Sequence, residues 1–323
     1  MIIYPESGIP SIELVTPFEP REIVCAFHDI DGTHSLIRNW VPVMTLTTGY
    51  TARYGLPPDD QGKAVPMIMA REQEDFSVSH DFSIESAGLS ALTQMEWAIR
   101  CGIRNGVIER PDAYPAVNQQ IIDGIWAGRE TFPEVHEDPA LTAWIQEKSS
   151  NLFRIYEKIL LLMSRDRNLA DARIHPDRWR VPGSMAFLRF LKDHGIPNYF
   201  VTGAVVEKLP NGYAGTMFEE VDALGYKFGK DELLDSLEGS EWNLKLPKVD
   251  IMRNLAQKLG IDPKNILFVG DGRSEIDAGR AMGGVTISRL PSDAQRARTI
   301  HRSLKTNFIL EQYDLDDIRQ LFH

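Results

Sequence analysis

The sequence contains very little cysteine: Cys25 and Cys101 are the only two in 323 residues. Two cysteines exclude a disulfide framework, and the lack of metal-ligand spacing argues against a zinc cluster. Cys25 lies in the apolar run "EIVCAF" (22–27), where we expect it to be a small core residue. This low cysteine usage is typical of a protein of the reducing cytoplasm, which is the location we expect.

Long apolar runs are also absent. The longest strongly apolar stretch, "ILLLM" at 159–163, is far too short to cross a bilayer. The N-terminal stretch "MIIYPESGIP" has no basic residue and is interrupted by Pro5 and Gly8, so we expect no signal peptide. We therefore predict a soluble protein with no membrane partner.

The sequence contains fewer basic residues than acidic ones. Lys and Arg total 35 against 46 Asp and Glu, which gives a formal net charge of -11. No basic cluster rises above that background, so nucleic acid is not an expected partner. An acidic protein can still bind a small anion if a metal and a few local cations reverse the sign inside the pocket. The oligomeric state does not follow from the sequence.

Alternating strand and helix patterns indicate the fold class. "EIVCAF" is apolar on both faces, as in a central parallel strand, and a second series of strands and helices begins near residue 180. In that series Ser184 is the expected N-cap of one helix, "PNYFVTG" is a strand ending at Thr202, and Gly260 ends another helix. The pattern predicts an α/β protein with an open parallel sheet flanked by helices.

The region between these two parts has a different texture. From about 87 to 167, apolar residues recur at three- and four-residue spacing, which is typical of amphipathic helices. We therefore predict an α/β domain made of residues 1–39 and 179–323, with a helical domain inserted at 40–178.

Reactive residues follow three of the predicted strands. Asp29 and Asp31 follow the first strand, Thr202 and Gly203 end the second, and Asp271 follows "NILFVG". Because ligands bind beyond the carboxyl ends of strands in open α/β sheets, we expect these residues to line one site. Lys248 opens the helix that leads to the third of these strands.

These residue types in this arrangement suit phosphoryl transfer. Asp29, fixed at a strand end, suits a carboxylate nucleophile, and Asp31 could protonate a leaving oxygen and then activate water. Magnesium favours carboxylate and phosphate oxygens, and Asp271 is placed to be its second carboxylate. Thr202 with the following amides could hold phosphate oxygens, and Lys248 could neutralise charge.

Four motifs in order resemble the haloacid dehalogenase-like superfamily over roughly 1–39 and 180–323. They are "DIDGT" at 29–33, "FVTG" at 200–203, "KVDIMRNLAQKLG" from 248 and "VGDGRSEID" from 269. The resemblance implies a Rossmann-like core domain, and it implies that a helical insertion between the first two motifs is a mobile cap that closes over the site.

Carried over by position, the resemblance implies an aspartyl-phosphate on Asp29 and an acid–base role for Asp31. It implies magnesium bound by Asp29, the main-chain carbonyl of Asp31 and Asp271, with Glu275 reaching the metal through water. Thr202, Gly203 and Lys248 would bind the phosphate.

Several alternatives remain open from the sequence. Either Lys248 or Lys245 could be the lysine that binds the phosphate. Either Glu275 or Asp277 could be the acid that reaches the metal. We expect His28 to face a packing layer of the sheet, whereas His34 either packs inside or lines the pocket entrance.

The sequence favours a magnesium-dependent phosphatase acting on a small phosphorylated metabolite. Asp31 supports this function because a phosphate ester needs a proton donor for its leaving group. A phosphomutase with the same nucleophile and metal is the alternative, and a non-catalytic ligand-binding module is a third hypothesis.

Overall fold

The computed structural model describes residues 1–210, 212–241 and 246–322. These residues form two compact units. The first unit comprises Met1–Ile37, Arg167–Glu241 and the residues from Leu246 onward, and the second comprises Arg38–Asp166.

The first unit contains the β-strands that are found in the described part of the chain. They are β1 (Ile12–Leu14), β2 (Cys25–His28), β3 (Asn198–Val205), β4 (Glu207–Leu209), β5 (Gly212–Ala214), β6 (Ser236–Ser240), β7 (Ile266–Gly270), β8 (Val285–Arg289) and β9 (Phe308–Leu310). Seven of them form one sheet in the order β1-β9-β8-β7-β2-β3-β6, and β4 and β5 form a separate hairpin.

Helices are found in both units. The second unit contains α1 (Trp40–Tyr54), α2 (Gln61–Met69), α3 (Ser77–Glu85), α4 (Ala91–Arg104), α5 (Pro115–Trp126) and α6 (Pro139–Leu160). The first unit contains α8 (Ser184–Asp193), α9 (Thr216–Ala223), α10 (Lys248–Leu259), α11 (Arg273–Ala281), α12 (Gln295–Ser303) and α13 (Leu315–Ile318). Between these sets lie a π-helical turn (Leu161–Arg165) and α7 (Asp166–Ala172).

The sheet has the predicted parallel arrangement around a central β2. β2 pairs in parallel with β7 on one side and β3 on the other, and all four of its residues are buried. The Phe27 ring lies edge-on to Phe268 and to Tyr199, with ring centroids 5.7 Å apart in each pair. A strand apolar on both faces fits this position because helices cover both faces of a parallel sheet. The predicted α/β class is confirmed.

The edges of the sheet differ from the sequence prediction. β1, from the first 20 residues, pairs antiparallel with β9 and closes one edge. β3 does not end at Thr202, as predicted, but continues to Val205 because its last residue pairs with Ser240 of β6 after a shift in register. Strand patterns of three to five residues such as β1 and β6 carry too little periodicity to be recognised.

Of two predicted helix boundaries, the end of α10 is confirmed and the N-cap of α8 is wrong. α10 ends at Gly260 as predicted, with this glycine in the left-handed region at φ 67°. Ser184 is not an N-cap: Gly183, at φ 80°, precedes the helix, and Ser184 is its first residue. The Ser184 hydroxyl is used elsewhere, in a buried hydrogen-bond chain described below.

The second unit is helical in its described residues. α4 packs against α1, α5 and α6, so its apolar positions are buried on several sides. Phe82 and Trp97 stack with ring centroids 3.8 Å apart in the middle of this unit. No helix in the described ranges is long and apolar enough to cross a membrane.

The division between the units lies at 37/38 and 166/167, whereas the sequence predicts 39/40 and 178/179. α7 groups with the first unit because Leu169 and Ala172 join the apolar cluster that contains Phe200 of β3. The roles predicted for the two domains stay predictions.

A buried histidine gives the first unit a dependence on pH. His301 of α12 is 2% exposed, and its Nδ1 lies 2.8 Å from the Ser288 hydroxyl. Burial lowers the pKa of His301 from its ordinary 6.5 to about 4. Below pH 6.5 the unfolded chain binds a proton at this residue that the folded protein does not, so stability falls as pH falls toward about 4.

We predict that His301→Gln flattens this pH dependence. From pH 7.5 to pH 5.0 the free energy of unfolding should fall by about 2 kcal/mol less in the variant than in the unmodified chain. Urea unfolding at the two pH values measures this difference. His80→Gln is the control because His80 is exposed, and it should behave like the unmodified chain. An equal fall in the His301→Gln protein would contradict the prediction.

Candidate active site

The first site segment is the loop that follows β2. The Asp29 N–H donates to the carbonyl of Val269 at 2.8 Å, which extends the parallel pairing by one residue past the strand. The chain then turns, because the N–H groups of His34 and Ser35 both donate to the carbonyl of Ile30, at 2.8 and 2.9 Å. Asp29 is therefore held rigidly at the carboxyl end of the central strand, 7% exposed.

A glycine is required within this turn. Gly32 has a φ of 74°, which a side chain rarely tolerates. A Cβ placed there would lie 1.9 Å from Oδ2 of Asp271, so the Asp271 carboxylate occupies the space next to the glycine. The glycine of the "DIDGT" motif thus permits close approach of the loops that follow β2 and β7.

Lys248, the first residue of α10, brings the acidic residues together. It is 1% exposed, and its Nζ donates to Oδ1 of Asp29 at 2.5 Å and to Oε2 of Glu275 at 3.0 Å. Burial by itself would lower the pKa of Lys248, but the carboxylates of Asp29 and Glu275 raise it above its ordinary value. Lys248 is therefore a permanent cation in this site.

Three carboxylates crowd this one ammonium. Oxygen atoms of Asp29, Asp271 and Glu275 all lie within 4.8 Å of one another. Burial, and the charges of Asp29 and Glu275 next, raise the pKa of Asp271 well above its ordinary range. Burial also raises the pKa of Asp29, and Glu275 adds to this effect while Lys248 opposes it.

The third carboxylate, that of Glu275, is held by donors on both oxygens. Oε1 accepts from the N–H of Gly272 at 2.5 Å, and Oε2 accepts from Lys248 and from the Ser274 hydroxyl, each at 3.0 Å. Burial opposes ionisation of Glu275, but Lys248 and these donors hold its pKa below the ordinary range. Gly270 makes room for this side chain, since a Cβ there would lie 2.0 Å from the Glu275 Cγ.

The donor set fits a divalent cation. Three carboxylates surround one ammonium, so negative groups outnumber the positive one at this place. A set of carboxylate oxygens is what Mg²⁺ prefers. The residues present therefore suit magnesium.

The structure places the other predicted residues as follows. Thr202 is 2% exposed on β3, and its Oγ1 accepts from the Ala204 N–H at 3.1 Å, while Gly203 is half-buried beside it. Asp31 is half-buried on the loop after β2, and its carboxylate is not one of the three clustered ones. Since parallel strands end at the same edge of the sheet, all these residues lie at the edge that the sequence predicts.

The structure also bears on the two alternatives that the sequence leaves open, one for the second acid of the fourth motif and one for the lysine. Asp277 is exposed on α11, whereas Glu275 is fully buried and bonded to Lys248. Lys245 lies outside the described residues, so only Lys248 of that pair has a position here.

Two further residues at this edge are missed by the sequence analysis. The Thr33 hydroxyl lies between two of the carboxylates, 3.4 Å from Oδ2 of Asp29 and 3.3 Å from Oδ1 of Asp271. Arg289, at the end of β8, donates to the carbonyls of Gly32 and Glu311, at 2.9 and 2.8 Å. Thr33 belongs to the "DIDGT" motif, which is a signal that could have found it; Arg289 carries no such signal.

Behind the loop lies a buried chain of hydrogen bonds through both histidines. Asn198 donates its amide hydrogens to two main-chain carbonyls, so its Oδ1 must accept from Nε2 of His28 at 3.1 Å. Burial lowers the pKa of His28 to about 3, so the ring is neutral and its Nδ1 accepts from Nε2 of His34 at 3.1 Å. The Ser184 hydroxyl then donates to Nδ1 of His34 at 2.6 Å.

This chain fixes the proton positions and the orientation of both rings. His28 packs inside as predicted, and His34 is fully buried, which excludes the pocket entrance. The His34 ring is stacked on Tyr313, whose hydroxyl donates to the carbonyl of Thr33 at 3.0 Å. The residues on either side of Asp29 and Asp31 are thus anchored from within the core.

We predict that Asn198→Leu destabilises the protein by about 3 kcal/mol or more, because it removes two buried hydrogen bonds to main-chain carbonyls and leaves the His28 N–H without its acceptor. Urea unfolding at pH 7.5 measures the change. Asn254→Leu, at an exposed position of α10, is the matched control and should change stability by about 0.5 kcal/mol at most. Equal stability of the two variants would show that the hydrogen-bond chain does not hold the loop.

Comparisons with known proteins agree with this fold. Residues 140–283 match the family model of a haloacid dehalogenase-like hydrolase. A search of curated proteins found no match.

Two solved structures are similar in fold. One is described as a "predicted phosphatase" from Clostridium acetobutylicum; it has 12% sequence identity and a TM-score of 0.51, covering 93% of this chain and 99% of its own. The other, assigned as a beta-phosphoglucomutase from Bacteroides vulgatus, also has 12% identity, with a TM-score of 0.50 and coverage of 94% and 89%. The family-model match over residues 140–283 and the shared Rossmann-like fold of the two solved structures confirm the resemblance drawn from the motifs.

Proposed function

We propose that this protein is a magnesium-dependent phosphatase that hydrolyses a small phosphorylated metabolite through an aspartyl-phosphate. The observation that carries the proposal is the buried contact of Lys248 with Asp29, 2.5 Å from Nζ to Oδ1, inside a cluster of carboxylates. A carboxylate fixed at a strand end and paired with a permanent cation can attack phosphorus without the full charge repulsion of two anions.

Asp29 is the nucleophile in this proposal. Its carboxylate oxygen forms a bond to phosphorus while the bond from phosphorus to the leaving oxygen breaks, and Asp31 gives its proton to that oxygen. Asp31 then takes a proton from water, whose oxygen attacks the phosphoryl group and releases inorganic phosphate and the free Asp29 carboxylate. The rigid turn after β2 supports these roles, because it fixes the two residues relative to each other.

The phosphate oxygens would be held by Lys248, the Thr202 hydroxyl and the main-chain N–H of Gly203. Lys248 already neutralises Asp29 before substrate binds, so the same ammonium is available to the developing charge. Thr202 and Gly203 support the proposal through their place near the carboxyl end of β3, the strand next to β2.

Magnesium would be held by Asp29, the main-chain carbonyl of Asp31 and Asp271, and it would supply charge neutralisation and polarisation of the phosphoryl group. Glu275 would contact the metal through a water molecule. Its two oxygens are already engaged by Gly272, Ser274 and Lys248, which supports an indirect role.

A phosphomutase is the second candidate. It would use the same nucleophile, and the fold similarity to a protein assigned as a beta-phosphoglucomutase favours it. The two activities differ in the acceptor, since a mutase transfers the phosphoryl group to a sugar hydroxyl instead of water. ³¹P NMR of a reaction with a sugar phosphate distinguishes them: free phosphate indicates the phosphatase, and a new sugar phosphate indicates the mutase.

We predict that Asp29→Asn lowers the rate of phosphate release about a thousandfold or more, because an amide is not a competent nucleophile. The assay measures inorganic phosphate from an aryl phosphate and a panel of phosphorylated metabolites, with magnesium and with chelator. Asp277→Asn is the control, since Asp277 is exposed on α11, and it should retain activity within about twofold. Activity that survives in the Asp29→Asn protein would rule out the mechanism.

We also predict that Asp271→Asn separates metal binding from stability. The affinity for Mg²⁺, measured by isothermal titration, should fall by about tenfold or more, because a carboxylate ligand is lost. In chelator the same variant should unfold at a higher temperature than the unmodified protein, because one of three crowded carboxylates is gone. Unchanged Mg²⁺ affinity would show that Asp271 does not hold the metal.

A further inference from the structure

The loop that carries Asp29 and Asp31 is held by two side chains from the last part of the chain. Some main-chain groups of the loop bond to one another, since the Gly32 N–H donates to the carbonyl of Ser35 at 2.9 Å. The carbonyls of Gly32 and Thr33, in contrast, accept hydrogen bonds from side chains outside the loop. Because these two carbonyls directly follow Asp31, their donors restrain the main chain just after this residue.

Arg289, the last residue of β8, is the donor to the Gly32 carbonyl. Its side chain is buried; one terminal nitrogen donates to Gly32 at 2.9 Å, and Nε donates to the carbonyl of Glu311 at 2.8 Å. The N–H groups of a guanidinium lie in one plane at fixed angles, so this group holds two acceptors in a defined geometry, which an ammonium does not. Arg289 therefore links the loop after β2 to the segment that follows β9.

Tyr313 is the donor to the Thr33 carbonyl, at 3.0 Å. Its buried ring is stacked on His34, with centroids 5.2 Å apart and an interplanar angle of 6°. Burial raises the pKa of Tyr313 well above its ordinary value, so the hydroxyl keeps the proton that it donates. Because Glu311 lies two residues before Tyr313, Arg289 also restrains the segment that carries this hydroxyl.

We propose that Arg289 and Tyr313 are positioning residues that hold Asp31 where its proton can pass to the leaving oxygen as the bond from that oxygen to phosphorus breaks. The inference rests on the proposed function, in which Asp31 is the acid. Gly32 gives the main chain unusual freedom directly after Asp31, and the two hydrogen bonds remove it. A displacement of about 1 Å can lower the rate of such a step about a hundredfold.

The test measures kcat/KM of the full chain, with magnesium, for three aryl phosphates: 2,4-dinitrophenyl, 4-nitrophenyl and phenyl phosphate. The leaving oxygen becomes more basic in this order, so its need for a proton from an acid rises from the first probe to the last. Since kcat/KM covers only the steps up to release of the phenol, the later attack of water on the phosphoryl group does not affect it.

Two variants weaken the two hydrogen bonds separately. Arg289→Lys keeps the positive charge but loses the planar set of donors, and it should lower kcat/KM about tenfold for phenyl phosphate and less than about twofold for 2,4-dinitrophenyl phosphate. Tyr313→Phe keeps the stacked ring and removes only the hydroxyl, so we expect the same order of losses with about a threefold loss for phenyl phosphate.

A reference variant and a control accompany them. Asp31→Asn removes the acid itself and should show the same order, with a loss of about a hundredfold or more for phenyl phosphate. Arg298→Lys is the matched control, because Arg298 also donates to two main-chain carbonyls, those of Leu290 and Pro291, neither of which belongs to the loop. It should keep all three kcat/KM values within about twofold of the unmodified protein.

The inference is overturned if either variant, Arg289→Lys or Tyr313→Phe, lowers kcat/KM equally for the three probes or not at all while Asp31→Asn shows the expected order. An equal loss would mean that the residue only stabilises the fold. Thermal unfolding checks that each variant is folded, and Tyr313→Phe decides if Arg289→Lys is not.

Failure of the proposed function gives a different result. In that case the unmodified protein releases no phosphate, or Asp31→Asn affects the three probes equally. Either result would refute the inference as well, because Asp31 would not be the acid.

Discussion

The buried ammonium of Lys248 holds together carboxylates that would otherwise repel one another. It contacts Asp29 and Glu275, which come from segments about 220 and 27 residues away along the chain. An unpaired charge in this environment would be strongly unfavourable, so the contacts of Lys248 with Asp29 and Glu275 stabilise the three segments against one another. The loops after β2 and β7 and the start of α10 meet at this one interaction.

The parallel sheet supplies the rigid frame for this ion pair. β2 lies between β3 and β7, so the residues that follow three strands reach the same edge without help from long loops. Two glycines, Gly32 and Gly270, allow the carboxylates of Asp271 and Glu275 to approach the backbone closely. A site built on strand ends and close backbone contacts is preorganised, which favours binding of a reacting group in one orientation.

Much of the fold and the carboxylate cluster could be predicted because the signals are local. Short stretches of sequence are enough to predict the apolar strands, the helix that ends at Gly260 and the position of each Asp after its strand. The chain through Asn198, His28, His34 and Ser184 could not be predicted, because no local motif marks these four residues as partners. Ser184 is an example. A serine near the start of a helix often caps it, but the Ser184 hydroxyl donates to Nδ1 of the buried His34 instead.

The order of the segments along the chain has a consequence for synthesis on the ribosome. The loop with Asp29 is made early, but β3 and β7, the strands on either side of β2, are complete only after residues 205 and 270. Residues 38–166 emerge in between as one compact unit of largely local helical contacts. That unit can fold before β3 and β7 are available to pair with β2. The N-terminal strand β1 waits longest, because β9, near residue 310, closes the sheet edge last.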